Sequence, residues 1–318
     1  MGKTAWKDGL LMLRQTFESL KERQQLRHGN PLVYVSDISE QFYCEKKVEL
    51  AYKLGKVETQ AMREGTRLHD EITKMEKATL QQIIESIAKS PFCSARFPLV
   101  AEVEGLPVAG IPDAIGFFIG GVVCFVLELK TFGAKIFRLH ADRAVQAKVY
   151  GLLLDAMGFD CSKTLLYIVG VKRGINVQVS GSVLTRLLFA LAFTPDSRNL
   201  SKTVYISKDR INAVANYKKL VKLFRLDKPS VRRFVDLTSA GDLSIFCFPY
   251  SRDDALEALR WAKGYWLGDR DAVPTRKPEK CRACDFAENC TSHKLNLKLN
   301  SGCTKTGKLY SATRNHRH

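Results

Sequence analysis

The sequence contains no apolar run approaching the roughly 20 residues that a membrane-spanning helix needs, so we expect no membrane partner. Residues 1–30 also lack the uninterrupted apolar core of a signal peptide and are predicted to form an amphipathic helix. These absences favour an intracellular, cytoplasmic protein. In that reducing compartment the nine cysteines do not suggest a disulfide framework, and clustered cysteines indicate a bound metal.

Acidic residues are scarce relative to basic ones. The chain of 318 residues has 50 Lys and Arg against 33 Asp and Glu, which gives a net charge of +17. An excess this large favours an anionic partner, with nucleic acid as the first candidate. The alternative is a basic protein whose charge serves only solubility.

Internal repeats are absent, and so is a convincing nucleotide-binding loop. Residues 302–309, GCTKTGKL, have the spacing of a phosphate-binding loop, but they end in Leu and follow no predicted strand. We therefore expect no helicase motor in this chain.

What is present is an alternation of helical and strand patterns. The predicted helices cover residues 1–30, 36–54, 66–89 and 141–158. The predicted strands cover residues 96–105, 106–119, 122–132 and 164–171. This order predicts an α/β fold in which helices flank a mixed central sheet.

Composition divides the chain into five predicted segments. These are an N-terminal helix (1–30), a core (31–175), a basic, mainly helical insertion (176–245), a C-terminal helix with a cysteine cluster that completes the core (246–293), and a basic flexible tail (294–318).

The insertion contains the densest positive charge. Residues 202–233 hold ten Lys and Arg against two Asp, and Lys218, Lys219 and Lys222 are the candidate contacts to DNA. Neighbouring aromatic residues could stack on a single strand. The alternative is a solvated helical face.

Cys281, Cys284 and Cys290 form a C-x2-C-x5-C motif whose three thiolates can converge on one metal centre. A fourth ligand is needed, and the sequence offers three: the distant Cys44 and the nearby His293 and Cys303. Spacing alone leaves zinc and an iron–sulfur cluster both open.

The stretch CFVLELKTF, residues 124–132, combines a buried strand with two charges. Both faces of the strand are apolar until Glu128, and Glu128 and Lys130 share one face because strand residues alternate with period two. Burying a carboxylate and an ammonium is costly unless each is compensated. Either they form a structural ion pair, or Glu128 binds a divalent metal beside Lys130.

Asp113 favours the metal. With Gly120 and Gly121 as a two-residue turn, Ile119 faces Val122 and Asp113 falls directly opposite Glu128. Directly opposite residues have Cβ atoms about 5 Å apart, and two carboxylates this close repel unless they share a cation. Oxygen ligands suit Mg²⁺ or Mn²⁺. We expect any irregularity of the ladder to be a bulge beside Asp113, since Pro112 cannot donate to it.

These residues resemble a known nuclease core. GIPDAIGFF followed by LELK is similar to the Asp…Glu-x-Lys motif of the PD-(D/E)XK nucleases. EGTRLH, residues 64–69, and QAKVY, residues 146–150, resemble the upstream histidine motif and the Q-x-x-x-Y motif of the RecB-like branch. One cysteine before the core and three after it resemble the iron–sulfur nucleases of this branch, which include the CRISPR-associated adaptation exonuclease, the exonuclease V family and AddB.

The resemblance implies a restriction-endonuclease-like core and two cofactors. A [4Fe–4S] cluster would be held by Cys44, Cys281, Cys284 and Cys290. Mg²⁺ or Mn²⁺ would be held by His69, Asp113, Glu128 and the main-chain carbonyl of Leu129. Asp113, Glu128, Lys130, Gln146 and Tyr150 would form the catalytic set.

The implied function is a divalent-metal-dependent DNA exonuclease that hydrolyses phosphodiesters at single-stranded ends, in CRISPR spacer acquisition or DNA repair. The implied partners are DNA and either a CRISPR integrase or replication and repair proteins. Residues 176–245 have no counterpart in the short CRISPR-associated members, which favours the exonuclease V family. The alternative function is a non-catalytic DNA-binding scaffold with a structural metal site.

Overall fold

The computed structural model describes residues 5–23, 25–56, 58, 63, 66, 78–133, 136–174, 181–198 and 200–292, and the elements below are numbered over these residues. The chain divides into two compact units. The larger comprises Met1–Phe42 and Glu58–Asp271, and the smaller comprises Tyr43–Val57 and Ala272–His318.

The helices and strands alternate along the chain. The strands are β1 (Val33–Tyr34), β2 (Phe92–Ala95), β3 (Leu99–Val103), β4 (Leu106–Gly110), β5 (Ala114–Phe118), β6 (Val122–Phe132), β7 (Leu165–Lys172), β8 (Val204–Ile206) and β9 (Leu243–Pro249). The helices are α1 (Ala5–Leu11), α2 (Leu13–Arg23), α3 (Val35–Leu54), α4 (Leu80–Lys89), α5 (Ala141–Ala156), α6 (Gly181–Ala192), α7 (Pro195–Arg198), α8 (Lys208–Val214), α9 (Lys218–Leu223), α10 (Lys228–Ser239), α11 (Arg252–Trp266) and α12 (Pro278–Arg282).

The larger unit is built on a six-stranded mixed sheet in the order β2-β5-β6-β7-β9-β8. Strands β6 and β7 are parallel, and the other neighbours are antiparallel. A smaller sheet has the order β1-β4-β3. The predicted α/β fold with a mixed sheet flanked by helices is therefore confirmed.

Strand β6 lies between β5 and β7 and is buried on both faces along most of its length. Phe125, Leu127 and Leu129 belong to a core that also contains residues of α6 and α8 to α10, such as Phe189 and Phe234. On the α5 side, Glu128 and Lys130 follow the buried Val126. The period-two pattern thus places the two charges on the face that α5 covers.

Helix α5 is enclosed by other elements of the larger unit. It packs against β6 and β7 of the large sheet, against β3 and β4 of the small sheet, and against α11. Nine of its residues are buried, including Gln146 and Tyr150. A polar side chain in such a position needs hydrogen-bonding partners, since burial without them costs about 1–3 kcal/mol.

The hairpin that joins β5 to β6 differs from the predicted one. Phe118 pairs with Val122, so the connection has three residues and the predicted two-residue turn with Ile119 facing Val122 is wrong. Gly120 and Gly121 both have positive φ, of 82° and 86°, which favours glycine.

A bulge then restores the predicted register. Phe117 pairs with Val123 but Gly116 pairs with Phe125, so Cys124 is the extra residue of β6. The bulge therefore lies at Gly116 and Phe117 rather than beside Asp113. Beyond it, Ala114 pairs with Leu127, as predicted. The turn is one residue longer than predicted, which shifts the register by one residue, and the extra residue of the bulge shifts it back.

Three other expectations need correction or completion. The N-terminal helix is interrupted at Met12 between α1 and α2. Helix α4 starts at Leu80 behind a capping box formed by Thr79 and Gln82, so the predicted helix over 66–89 is not continuous. Residues 67–77 of that helix lie outside the described residues, as does the predicted tail over 294–318.

Strands β8 and β9 were not predicted. The predicted boundary between residues 245 and 246 falls inside β9, and β8 of the predicted insertion pairs with β9 at the edge of the sheet. The insertion is mainly helical, as predicted, but it also completes the sheet and its core. Within the described ranges, no helix has the length and apolar character needed to cross a membrane.

Candidate functional site

The two predicted carboxylates lie on adjacent strands of the sheet. Asp113 directly precedes β5 and Glu128 lies near the end of β6, and each is only 4% exposed. The amide of Asp113 donates to the carbonyl of Leu127 (3.2 Å), and the Oδ2 atom of Asp113 accepts a hydrogen bond from the amide of Leu129 (2.5 Å). These bonds hold the Asp113 carboxylate against the segment of β6 that carries Glu128.

Lys130 connects Glu128 to helix α5. Its Nζ atom lies 2.8 Å from Oε1 of Glu128 and donates to Oε1 of Gln146 at 2.7 Å. The ammonium is 28% exposed and the Glu128 side chain is 5% exposed, so the pair is open to solvent only on the lysine side. The ion pair that the sequence analysis left open as the alternative to a metal is therefore present, and Gln146 orients the ammonium.

Tyr150 continues this hydrogen-bond network. The Nε2 group of Gln146 donates to the Tyr150 hydroxyl (3.3 Å), which donates to the carbonyl of Ile111 (3.1 Å). Gln146 and Tyr150 thus lie on one helix face, as their spacing predicted. The network runs from β6 through α5 to the segment before Asp113.

Burial raises the pKa of Tyr150 far above its ordinary value, and the negative charges of Glu128 and Asp113 raise it further. Tyr150 therefore stays a neutral donor at physiological pH.

Three groups of this site were not predicted in their observed roles. The carbonyl of Ile111 accepts from Tyr150, and the amide of Leu129, whose carbonyl is the implied metal ligand, donates to Asp113. Gly110 leaves room for the Tyr150 ring, since a Cβ atom there would lie 2.8 Å from Cε1. A contact through a main-chain amide or carbonyl cannot be recognised from the residue types in a sequence. A glycine at the end of an otherwise apolar strand, in contrast, indicates that another group approaches the backbone closely.

The donor set suits a hard cation. Two buried carboxylates supply oxygen ligands of the kind that Mg²⁺ and Mn²⁺ prefer. His69, the third side-chain ligand that the resemblance implies, lies outside the described residues. Across the part of the chain that the structure describes, no group of three or more His, Cys, Asp or Glu is placed to hold a metal ion.

The four predicted cysteines line one cavity of the smaller unit, although among the described residues they do not form a group placed to hold a metal ion. Cys44, Cys281, Cys284 and Cys290 line one small cavity of about 20 Å³. Cys44 lies where the helical conformation of α3 is interrupted, with φ −171° and ψ 114°, and its Sγ atom accepts a hydrogen bond from the amide of Thr275 (3.4 Å). None of the eight described cysteines forms a disulfide.

The surroundings of these sulfurs act on their charge in both directions, because burial raises the pKa of the Cys284 thiol whereas the nearby Lys47 cation lowers it. The described lining of the cavity holds four thiols and no carboxylate or imidazole, together with the cations of Lys47 and Lys280. Lys280 is tied to Tyr43, because its Nζ atom donates to the Tyr43 carbonyl (3.3 Å) and lies 4.1 Å from the ring centre. Positive charge and amide donors near sulfur stabilise a bound iron–sulfur cluster. Of the alternative ligands, His293 and Cys303 lie outside the described residues.

The remaining cysteines are core residues, as predicted. Cys124, Cys161 and Cys247 are buried, and burial raises the pKa of the Cys247 thiol to about 12. Cys93 is half-buried, and desolvation raises the pKa of its thiol to about 11. These thiols are therefore neutral and unreactive near pH 7.

The predicted DNA contacts Lys218, Lys219 and Lys222 are all exposed on α9. Lys218 and Lys222 line a groove, whereas Lys219 is outside its lining. Of the aromatic residues considered for base stacking, Tyr205 and Tyr217 are exposed, but Phe224 is fully buried in the core. Phe224 is therefore unavailable for stacking.

Comparisons with known proteins give similar solved structures but no family. No family model matches the chain, and no curated protein matches it. Among solved structures, the crystal structure of SSO0001 is similar to this chain with a TM-score of 0.43 and 13% sequence identity, over 89% of this chain and 96% of that one.

Proposed function

We propose that this protein is a divalent-metal-dependent DNA nuclease. The observation that carries the proposal is the pair of buried carboxylates, Asp113 and Glu128, on adjacent strands, with the Lys130 ammonium 2.8 Å from Glu128 and fixed by Gln146. A core position that only stabilises the fold would be better filled by apolar residues, because burying charges is costly. The arrangement is therefore explained best by a reaction that needs it.

Each residue has a role in that reaction. Asp113 and Glu128 would hold Mg²⁺ or Mn²⁺, with the Leu129 carbonyl and His69 as the further ligands that the resemblance implies. When bound, such an ion supplies Lewis-acid stabilisation of the phosphate and lowers the pKa of a water. The exposed side of the Lys130 ammonium can stabilise the negative charge that develops on the phosphate during in-line attack. Gln146 and Tyr150 keep that ammonium in place.

The cysteine cluster supports the iron–sulfur branch of these nucleases. Four thiols around one cavity, with two lysines and an amide donor beside them, are suited to a [4Fe–4S] cluster that stabilises the smaller unit. The cluster has no redox part in phosphodiester hydrolysis. An exonuclease on single-stranded ends, a cytoplasmic location, and a role in CRISPR spacer acquisition or DNA repair remain predictions from the resemblance and the composition.

A specific observation favours the competing function. The 2.8 Å contact between Lys130 and Glu128 is also what a structural ion pair would show, and it is the arrangement expected of a non-catalytic DNA-binding scaffold. The two functions differ in what the lysine does once DNA is bound. In a scaffold it only neutralises Glu128, whereas in a nuclease it acts on the phosphate.

The test is digestion of end-labelled single-stranded and double-stranded DNA with Mg²⁺, Mn²⁺ or EDTA. Lys130→Met should lower the cleavage rate by about 10²-fold or more while DNA affinity stays within a few-fold, since many phosphate contacts share the binding energy. The matched control is Lys148→Met on α5. The Lys148 side chain is 27% exposed, against 28% for Lys130. Its ammonium pairs with Asp254 on α11 at 3.1 Å rather than with Asp113 or Glu128.

The nuclease predicts cleavage that needs the metal, that survives Lys148→Met and that is lost in Lys130→Met. Cleavage that persists in EDTA, or a Lys130→Met protein as active as the control, contradicts the proposal. Tight DNA binding without cleavage under any metal condition would favour the scaffold.

A further inference from the structure

A basic groove lies in the larger unit, on the helices that cover the face of the sheet opposite α5. It measures about 1060 Å³ and is lined by residues of α8, α9, α10 and the turn between the last two helices. Five cations line it: Lys218, Lys222, Arg225, Lys228 and Arg232. Two carboxylates, those of Asp227 and Asp236, also line it, so its charge is strongly positive.

The cations of the groove are free to bind an anion. All five are exposed, and among the described residues none of them forms an ion pair with a carboxylate. Asp227 is already engaged, because its carboxylate caps α10 by accepting from the amide (2.7 Å) and hydroxyl (2.9 Å) of Ser230. These hydrogen bonds lower the pKa of Asp227 and keep its charge on the helix terminus.

The floor of the groove is apolar. Leu226 and Val231 are buried beneath it, and Val221 and Val235 are half-buried in its lining. A duplex presents phosphates, sugars and base edges but not the faces of its bases, because the bases are stacked on one another. An unpaired strand can place its bases on an apolar floor while its phosphates meet the cations at the rim.

The groove and the candidate catalytic centre lie on opposite faces of the same sheet, and strand pairing connects the helices of the groove to β6. Helix α10 leads directly into β9, and the first residue of β9, Leu243, pairs with Val171 of β7, which pairs with Thr131 of β6. Thr131 follows Lys130. The C-terminal end of α10, where Val235 and Asp236 lie, is therefore at the end of the sheet that carries the candidate metal site.

We propose that this groove binds the single-stranded nucleic acid backbone as a second site, on the face of the sheet opposite Asp113 and Glu128. The inference deepens the proposed function and rests on it for the nature of the ligand. It also corrects the predicted contact set, because Lys228 and Arg232 join Lys218 and Lys222, whereas Lys219 is excluded.

The test measures binding of the full chain to an oligo-dT of about 20 nucleotides in EDTA, which prevents metal-dependent cleavage and exceeds the roughly 4–16 nucleotides that a single-strand site covers. The groove variant is Lys218→Glu, Lys228→Glu, Arg232→Glu. The control variant is Lys202→Glu, Lys208→Glu, Lys219→Glu, which removes three exposed lysines of the same segment that do not line the groove. Both variants change the net charge equally, so long-range attraction falls alike in both.

The groove variant should lower affinity at least tenfold more than the control. It should also make the dependence of log Kd on log salt shallower by about 2, since each lost phosphate contact on a single strand is worth roughly 0.7 in that slope. Thermal unfolding checks that both variants fold, and glutamine replaces glutamate at the same positions if the groove variant does not. Lys218 and Lys228 begin their helices, where an acidic residue is tolerated.

Three results would overturn the assignment. The first is equal loss of affinity in the two variants, which would reduce the effect to net charge. The second is binding of an equal-length duplex as tight as that of oligo-dT and equally weakened by the groove variant. The third is competition by poly-glutamate as effective as that of oligo-dT, which would assign the groove to an acidic protein. Because binding is measured without metal, a chain that binds as expected but does not cleave keeps the groove and loses the proposed nuclease.

Discussion

Replacing Gly116 by alanine should disturb the bulge that sets the register of Asp113 against Glu128. Gly116 pairs with Phe125 across the β5–β6 ladder, directly beside the bulge. A Cβ atom at Gly116 would lie 2.6 Å from Cδ1 and 2.7 Å from Cζ of the Phe125 ring and would also overlap Cε1. The ring is fully buried, and its centre lies 4.8 Å from that of Phe189 and 5.8 Å from that of Tyr167, so it cannot move aside freely.

The cost follows from two opposing effects. Overpacking a filled core costs about 1–3 kcal/mol, and three overlapping ring atoms place this site in the upper half of that range. Alanine lowers the entropy of the unfolded chain relative to glycine, which offsets about 0.4–1 kcal/mol. We therefore expect Gly116→Ala to lower the free energy of unfolding by about 2 kcal/mol and, because the strand must shift near Asp113, to reduce cleavage as well.

Urea unfolding of a double-mutant cycle measures this cost. Phe125→Leu removes the overlapping ring atoms, so the double variant should be more stable than additivity predicts by about 1 kcal/mol or more. Gly264→Ala is the control. A Cβ there would meet nothing closer than Arg270 Nε at 3.4 Å, and this helical position should be neutral or stabilised. A Gly116→Ala protein with the midpoint of the wild type, or strictly additive effects of Gly116→Ala and Phe125→Leu, would refute the described geometry of the bulge.

Two further predictions concern the network and the cysteines. Tyr150→Phe removes the hydrogen bond to the Ile111 carbonyl and should lower the free energy of unfolding by about 1 kcal/mol, as measured by urea unfolding. It should also reduce the rate of DNA cleavage, but by less than Lys130→Met does. Unchanged stability would count against the network. Cys44→Ser should abolish the brown colour and the iron of anaerobically purified protein, whereas Cys93→Ser should retain both; zinc without iron in the wild-type protein would contradict the iron–sulfur assignment.

The strand that carries the candidate site could be predicted from the sequence. The run from Val122 to Phe132 is apolar on both faces except for Glu128 and Lys130, so period-two alternation predicted both the strand and the shared face of its charges. The spacing of Gln146 and Tyr150 likewise predicted their common helix face, because residues four apart lie on the same side of a helix. In a regular strand or helix, the spacing of residues along the sequence determines which side chains share a face.

The hairpin shows where such prediction stops. The glycine pair signals a turn, but positive φ at Gly120 and Gly121 suits a connection of two residues or of three. The extra residue of the bulge, Cys124, is apolar like its neighbours and breaks no visible pattern. Ala114 pairs with Leu127 as predicted only because the two errors cancelled beyond Gly116.

The groove and strand β9 depend on long-range packing, which local patterns do not show. Lys218 and Lys222 share one face of α9 because they are four residues apart, but only tertiary packing, including that of α8 against α10, shows that this face lines a groove. Residues 243–249 were divided between the predicted insertion and the predicted C-terminal segment, and their pairing with β7 makes them one sheet strand.

The central claim is that Asp113 and Glu128 together bind a divalent metal. Titration of Mn²⁺ into the protein, followed by the electron paramagnetic resonance of the free ion, tests it without DNA. We expect one bound Mn²⁺ in the wild-type protein and in Lys148→Met, and at least tenfold weaker binding in Asp113→Asn and in Glu128→Gln, because each variant replaces an anionic ligand by a neutral one of the same shape. Equal Mn²⁺ binding by the wild-type and Asp113→Asn proteins would contradict the account.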